Sequence, residues 1–254
     1  MDRDGNLPGL VNNSLRLLAE GLAERGIATL RADKRSVGAS QAAAPDESAL
    51  RVDTYADDAV RWTRALAGDP AIARVGLLGH SEGALVAALA AQRAAVDRLV
   101  SLAGAGGPAG PAILRQLASG GTPPDLVSAA RSVIARLLHG EAVADVPPEL
   151  AGLFRPSVQP YLVSWLLRDP AAELAAVRCP VLVAQGAADL QTQVADARLL
   201  AAARPGAGLL LVPGMNHVLK APAEGRAANL AAYADPDLPL AAGLAEGIAR
   251  FVLR

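Results

Sequence analysis

Val75-Gly76-Leu77-Leu78-Gly79-His80-Ser81-Glu82-Gly83-Ala84-Leu85-Val86-Ala87-Ala88-Leu89 is the stretch whose reading decides the fold. A short apolar run ends in Gly79-His80-Ser81-Glu82-Gly83, and an Ala/Leu-rich helical run follows at once. The order is strand, tight turn, helix, with a serine at the apex. Gly-x-Ser-x-Gly in that setting is the pattern of a nucleophile elbow. The serine must adopt a strained backbone so that its hydroxyl projects above the sheet. Strand and helix then pack closely, which predicts that both Gly79 and Gly83 are needed where they stand. The N–H of Glu82 falls at the helix N-terminus, where free donors and the helix dipole favour an oxyanion. In a chain with 24 glycines the pentapeptide alone arises readily by chance. The flanking elements give it weight, and a base and an acid must complete it.

Composition narrows the class. At 254 residues the chain can bury a sizeable core, as one domain with an insertion. Net charge is −1, from 24 basic and 25 acidic residues spread along the chain, so no basic stripe points to nucleic acid. No apolar run approaches the roughly 18 residues of a membrane span, and no signal peptide opens the chain. A cytoplasmic location is the default expectation. One cysteine, Cys179, leaves no internal disulfide and no Cys-based metal site; before Pro180 and a strand-like run it reads as a buried structural thiol. Aromatics are 3%, so the core must rest on Leu, Val and Ala.

Outward from the elbow the elements alternate. Asn12-Asn13-Ser14 offers a cap for a helix carrying Leu15, Leu18 and Leu22 to about residue 25, with Gly26 as its stop. Residues 27–31 read as a strand, 50–67 as a helix, 75–78 as the strand before the elbow, 82–95 as the elbow helix and 98–103 as a strand. After Ala103 the rhythm breaks. Residues 104–169 hold helix-like runs (111–119, 124–138, 158–168) between Gly/Pro breaks and no convincing strand. Strands return at 179–185 and 208–212, with a helix over 194–203 between them and a last helix near 238–252. The expected architecture is α/β, a doubly wound, mostly parallel sheet covered on both faces. Its core is residues 1–103 and 170–254, and 104–169 is a helical lid over the carboxyl edge of the strands, where open α/β sheets bind ligands.

A serine nucleophile needs an imidazole within hydrogen-bond reach, held in turn by a carboxylate. The chain has three histidines. His80 adjoins Ser81 and cannot turn back onto it, so it reads as a packing or supporting residue. His139 ends a helix before Gly140 and reads as solvated. His217, in Pro213-Gly214-Met215-Asn216-His217, follows the strand 208–212 and leaves the same sheet edge as Ser81. It is the expected base. For the acid, the loop 104–107 has no carboxylate, whereas Gln185-Gly186-Ala187-Ala188-Asp189 places Asp189 directly after a strand. Asp196 is the rival, but it falls within the next helix and is expected to face solvent. The resulting chain order is Ser81, Asp189, His217.

These motifs resemble the α/β-hydrolase superfamily, which uses that chain order. The resemblance covers nearly the whole chain. Asp33-Lys34-Arg35-Ser36-Val37-Gly38-Ala39-Ser40 resembles the Asp-x-Arg-Gly-x-Gly-x-Ser turn after the family's fourth strand, with Ser36 in place of the usual Gly. Ser81-Glu82-Gly83, the Asp189 loop and Gly214-Met215-Asn216-His217 resemble the bacterial serine-aminopeptidase-like and esterase-like branch. That resemblance implies hydrolysis of an acyl ester or amide through an acyl-enzyme, with no cofactor and no metal, on a small-molecule substrate. A carboxylic ester is the expected substrate; a peptidase, a thioesterase, or a non-catalytic relative are the alternatives. The family's third strand normally precedes a loop like Asp2-Arg3-Asp4-Gly5-Asn6, and its Gly-rich end supplies a second oxyanion donor. Met1 stands where that strand should finish. The expectation is a shortened chain with a gap between 27–31 and 75–78. Loss of an oxyanion donor typically costs about 10²–10³ in rate.

Overall fold

The computed structural model describes residues 1–44 and 46–254. Four parallel strands, β1 (Gly76–His80), β2 (Arg98–Leu102), β3 (Val181–Gly186) and β4 (Gly208–Val212), lie side by side in chain order. Leu78 pairs with Val100, Val100 with Leu182, and Ala184 with Leu210. All of β3 is buried, which is why Val181-Leu182-Val183-Ala184 reads as a continuous apolar run. β1 and β4 are the edges and keep partial exposure.

Helices cover both faces. In chain order they are α1 (Ser14–Ala23), α2 (Val52–Ala67), α3 (Glu82–Arg93), α4 (Ala109–Ser119), α5 (Pro124–Leu138), α6 (Ala151–Phe154), α7 (Gln159–Leu166), α8 (Pro170–Ala175), α9 (Val194–Ala203), α10 (Arg226–Ala231) and α11 (Leu244–Val252). Strand side chains alternate between faces. Val100, Leu102, Leu182 and Ala184 meet Leu18 and Leu22 of α1 and Leu244 and Ile248 of α11. Leu99, Val181 and Val183 meet Ala87 and Ala88 of α3, Leu174 of α8 and Leu200 of α9. Small alanines on α3 let it lie close to the sheet, while Leu85 and Leu89 pack outward on Val52 and Ala56 of α2. Among the described residues no helix is long and apolar enough to cross a membrane.

The residues between β2 and β3 form a cluster of their own. Ile113 of α4, Val133, Ile134 and Leu137 of α5, Phe154 of α6 and Leu162 of α7 bury together. Buried Gln159 ties the cluster's loop down: its Oε1 accepts the Val143 N–H at 2.9 Å and its Nε2 donates to the Phe154 carbonyl at 2.8 Å.

Three local expectations fail. Residues 27–31 form no strand, and β1 stays an edge. A strand exists through hydrogen bonds to a neighbouring strand, and among the described residues this segment has none; apart from the Ile27 N–H on the Leu22 carbonyl at 3.1 Å, side chains hold it. Ile27 packs on the α1/α11 side of the core, Arg31 pairs with Asp4 at 3.2 Å, and Leu30 is 46% exposed. The last helix begins at Leu244 rather than near 238, because Gly243 at φ 83° breaks the helical path and Leu240 bridges to Lys220. Cys179 is half-buried rather than enclosed.

Candidate active site

The carboxyl ends of the strands converge on one edge, and three loops leave from it. The elbow comes first. Ser81 has φ 57° and ψ −124°, a backbone conformation that a non-glycine residue holds only under strain. Its N–H donates to the Leu102 carbonyl at 2.9 Å, anchoring the turn to the neighbouring strand. A Cβ on Gly79 would lie 2.0 Å from the Gly83 carbonyl oxygen, so only glycine fits there. Gly83 is different. A Cβ at that position meets nothing within 4 Å, so the close approach restricts one glycine of the pair, not both.

The loops that carry Asp189 and His217 are pressed together by the same device. A Cβ on Gly186 would lie 2.1 Å from the Met215 carbonyl oxygen, and the Ala188 N–H donates to that oxygen at 3.0 Å. The β3 loop therefore rides directly on the β4 loop. Asn216 closes the latter, accepting the Lys220 N–H at 3.1 Å and donating to the Asn229 carbonyl at 3.2 Å.

These loops bring Ser81, His217 and Asp189 together. His217 Nδ1 is 2.9 Å from Asp189 Oδ2, and His217 Nε2 is 3.1 Å from Ser81 Oγ. Asp189 also accepts the backbone N–H groups of Gln191 at 2.7 Å and Thr192 at 3.0 Å on Oδ1. On Oδ2 it accepts the Thr192 hydroxyl at 3.0 Å and the Gln185 amide at 3.2 Å. Burial pushes the Asp189 carboxyl upward, but the His217 hydrogen bond and the two N–H donors outweigh it and hold the group below its ordinary value. An ionised carboxylate only accepts. His217 therefore carries its proton on Nδ1, which leaves the Nε2 lone pair facing the serine hydroxyl.

Asp196 does not face solvent. It is 7% exposed and turned inward at the first turn of α9. There it accepts the N–H of Gly106 at 3.0 Å, the N–H of Gln193 at 2.8 Å and Arg115 Nη2 at 3.1 Å. It braces the loop after β2 and does not touch His217. His139 is exposed at the end of α5, with Nδ1 2.7 Å from the Ala135 carbonyl. Ser36, in the polar turn, stands at φ 65°, the conformation for which glycine is the unstrained residue.

Several contacts around the site have no sequence signal. Glu82, next to the serine, accepts a hydrogen bond from Tyr161 of α7 and pairs with Lys34 at 3.1 Å. Burial, reinforced by Glu82, raises the Tyr161 phenol above its ordinary value. Lys34 in turn lies 5.1 Å from the Tyr55 ring centre, and a cleft of about 200 Å³ opens between Lys34, Tyr55, Glu82 and Tyr161. A larger groove of about 520 Å³ runs between α4 and α5, away from Ser81. Among the described residues no group of three His, Cys, Asp or Glu side chains is placed to hold a metal ion.

A parallel sheet with an elbow serine, an imidazole and a carboxylate at its carboxyl edge is the arrangement of a hydrolase scaffold. The chain belongs to the alpha/beta hydrolase family, whose model matches residues 7–233. No curated protein matches it. Solved structures similar to it include Est1E from Butyrivibrio proteoclasticus, at 17% identity over 99% of this chain and 91% of that one, with a TM-score of 0.56. A malate-bound thermophilic esterase from Thermogutta terrifontis shares 20% identity over 82% of this chain and 79% of its own, with a TM-score of 0.54. The enol-lactonase from Burkholderia xenovorans LB400 shares 19% over 96% and 86%, with a TM-score of 0.51. At these identities the likeness is one of fold.

Proposed function

We propose that this protein is a serine hydrolase that cleaves a carboxylic ester or related acyl substrate through an acyl-enzyme. The observation that carries the reading is the unbroken run of hydrogen bonds from Ser81 through His217 to Asp189, set on a strained turn at a helix N-terminus. Ser81 Oγ attacks the acyl carbon while its proton passes to His217 Nε2. The carbonyl electron pair moves onto oxygen, where the Glu82 N–H at the start of α3 faces the developing charge. The imidazolium then protonates the leaving oxygen as the C–O bond breaks. Water repeats the sequence on the acyl-enzyme and frees the serine. Asp189 holds the tautomer and stabilises the imidazolium. No cofactor or metal enters this route.

The choice of an ester follows the esterase-like bacterial branch that the Ser81, Asp189 and His217 motifs resemble. Residues 104–169 act as a lid on a core of 1–103 and 170–254. Two contacts support this division: the Tyr161 hydrogen bond to Glu82 beside the nucleophile, and the Val52 N–H donating to Ser164 Oγ at 2.9 Å. A fluorophosphonate probe tests the reading. It should label the parent chain at Ser81 and fail to label Ser81→Ala, whose thermal unfolding should match the parent. Labelling at another serine, such as Ser36 or Ser101, would remove the assignment. A chromogenic panel of esters, thioesters and anilides then assigns the bond; turnover of anilides alone would make the protein a peptidase.

A further inference from the structure

His80 is an elbow residue that the proposed reaction leaves without a task. It ends β1, immediately before the nucleophile, and its ring Nε2 lies 2.9 Å from the carbonyl oxygen of His217. A carbonyl only accepts, so His80 carries its proton on Nε2. The two imidazole rings sit with centres 4.9 Å apart at 44°. His80 Nδ1 is shielded from solvent and has no hydrogen-bond partner among the described residues. Consecutive residues of one rigid turn therefore grip the same residue of another loop: Ser81 meets the His217 side chain, and His80 meets its main chain.

That second grip answers a physical need. His217 lies on a loop, not on a strand or helix, between Gly214 at φ 68° and Leu219 at φ 64°. Its loop is held by the Ala188 N–H on the Met215 carbonyl, by Asn216 next to it and by the Asp189 contact at the ring. None of these contacts reaches the elbow. The His80 bond does, and it ties the His217 backbone to the residue covalently joined to Ser81. We infer that His80 is a positioning residue for the serine–histidine pair, a brace that holds the base at proton-transfer distance from the nucleophile through the His217 carbonyl. Enclosure of the ring, and secondarily the adjacent His217, also hold the His80 imidazole down to about 3. The brace therefore stays uncharged at neutral pH and sets no fixed cation against the imidazolium that forms on His217. Asp189 is the charged group nearby that works in the opposite direction.

The inference rests on the hydrolase reading, and one set of variants separates the two. In His80→Gln the amide nitrogen stands as many bonds from Cβ as Nε2 does, so the donor is kept. In His80→Asn the amide matches Nδ1 and falls short of the carbonyl; His80→Phe keeps the ring and removes the donor. The readouts are kcat and KM for a chromogenic ester, the rate of fluorophosphonate labelling, and thermal unfolding. His80→Asn and His80→Phe should lose about 10- to 100-fold in kcat and in labelling rate, the scale of a misplaced catalytic group, with KM unchanged. His80→Gln should recover most of that loss. Should His80→Phe fail to fold, the Asn–Gln contrast carries the test alone. Equal rates in all three folded variants, with a parent that labels at Ser81, would overturn the brace and leave the hydrolase intact. So would an equal loss in Asn and Gln. A parent that does not label would remove the hydrolase reading, and the brace with it.

Discussion

Replacing Asp189 by Asn tests the site most sharply, because the structure dictates which way the new amide must turn. Oδ1 faces two backbone N–H groups, from Gln191 and Thr192. Backbone donors cannot rotate or change tautomer, so an NH₂ placed there would meet two fixed donors. The NH₂ must take the Oδ2 position, where it faces the His217 ring, the Thr192 hydroxyl and the Gln185 amide. The hydroxyl can rotate and the imidazole can move its proton. His217 then carries hydrogen on Nε2 and has no lone pair for the serine proton. Loss of tautomer control of this kind lowers kcat by about 10⁴ in serine proteases, which is about 5.4 kcal/mol of transition-state stabilisation. The Gln185 amide loses one of its three acceptors but keeps the Gly186 carbonyl at 3.2 Å and the Thr192 carbonyl at 3.1 Å, so no donor is left unmet and the cost in stability should be small. Stopped assays with a chromogenic ester give kcat; urea unfolding gives the stability change. A folded Asp189→Asn variant that keeps kcat within about tenfold of the parent would refute the tautomer argument. It would also show that the 2.9 Å contact between Asp189 and His217 does not govern the base.

The elbow glycines should separate cleanly. Gly79→Ala sets a methyl 2.0 Å from a backbone oxygen and should destabilise by about 3 kcal/mol or more, whereas Gly83→Ala, with open space at its Cβ, should fold like the parent in urea titrations. Equal effects would mean that the close approach of strand and helix is misplaced. Acid should weaken the fold through Asp189. Its carboxyl is held below the unfolded value, so its contribution is full above the unfolded value and fades as pH falls toward the folded one. The parent should therefore lose stability below about pH 5 more steeply than Asp189→Asn, as read from unfolding midpoints across pH; parallel curves would contradict the shift. Asp196→Asn, in contrast, should unfold more easily while kcat changes little, since Asp196 braces Gly106 and Arg115 but does not touch the imidazole.

Much of this site was legible in the sequence, for local reasons. A strand running into Gly-His-Ser-Glu-Gly and a helix leaves a serine few conformations, and Ser81 adopts the strained one. Strand periodicity put Asp189 and His217 on loops after β3 and β4, and in a parallel sheet every such loop leaves by the same edge. Three histidines made elimination possible. What eluded the sequence depends on partners remote in the chain. Residues 27–31 have the composition of a strand, yet strand membership is conferred by a neighbour's backbone, and none lies beside them. Asp196 has the helical position of a solvent-facing carboxylate, but the loop at Gly106, 90 residues away, folds over it. Gly79 and Gly83 look equivalent in the motif, and only the packing of α3 on β1 shows that one is obligatory. Glu82 meets Lys34 and Tyr161 at separations of 48 and 79 residues. His80 meets His217 across 137. Backbone propensity and side-chain period act over a few residues and can be read along the chain; hydrogen bonds and burial act through space, and only the closed tertiary structure decides which groups they join.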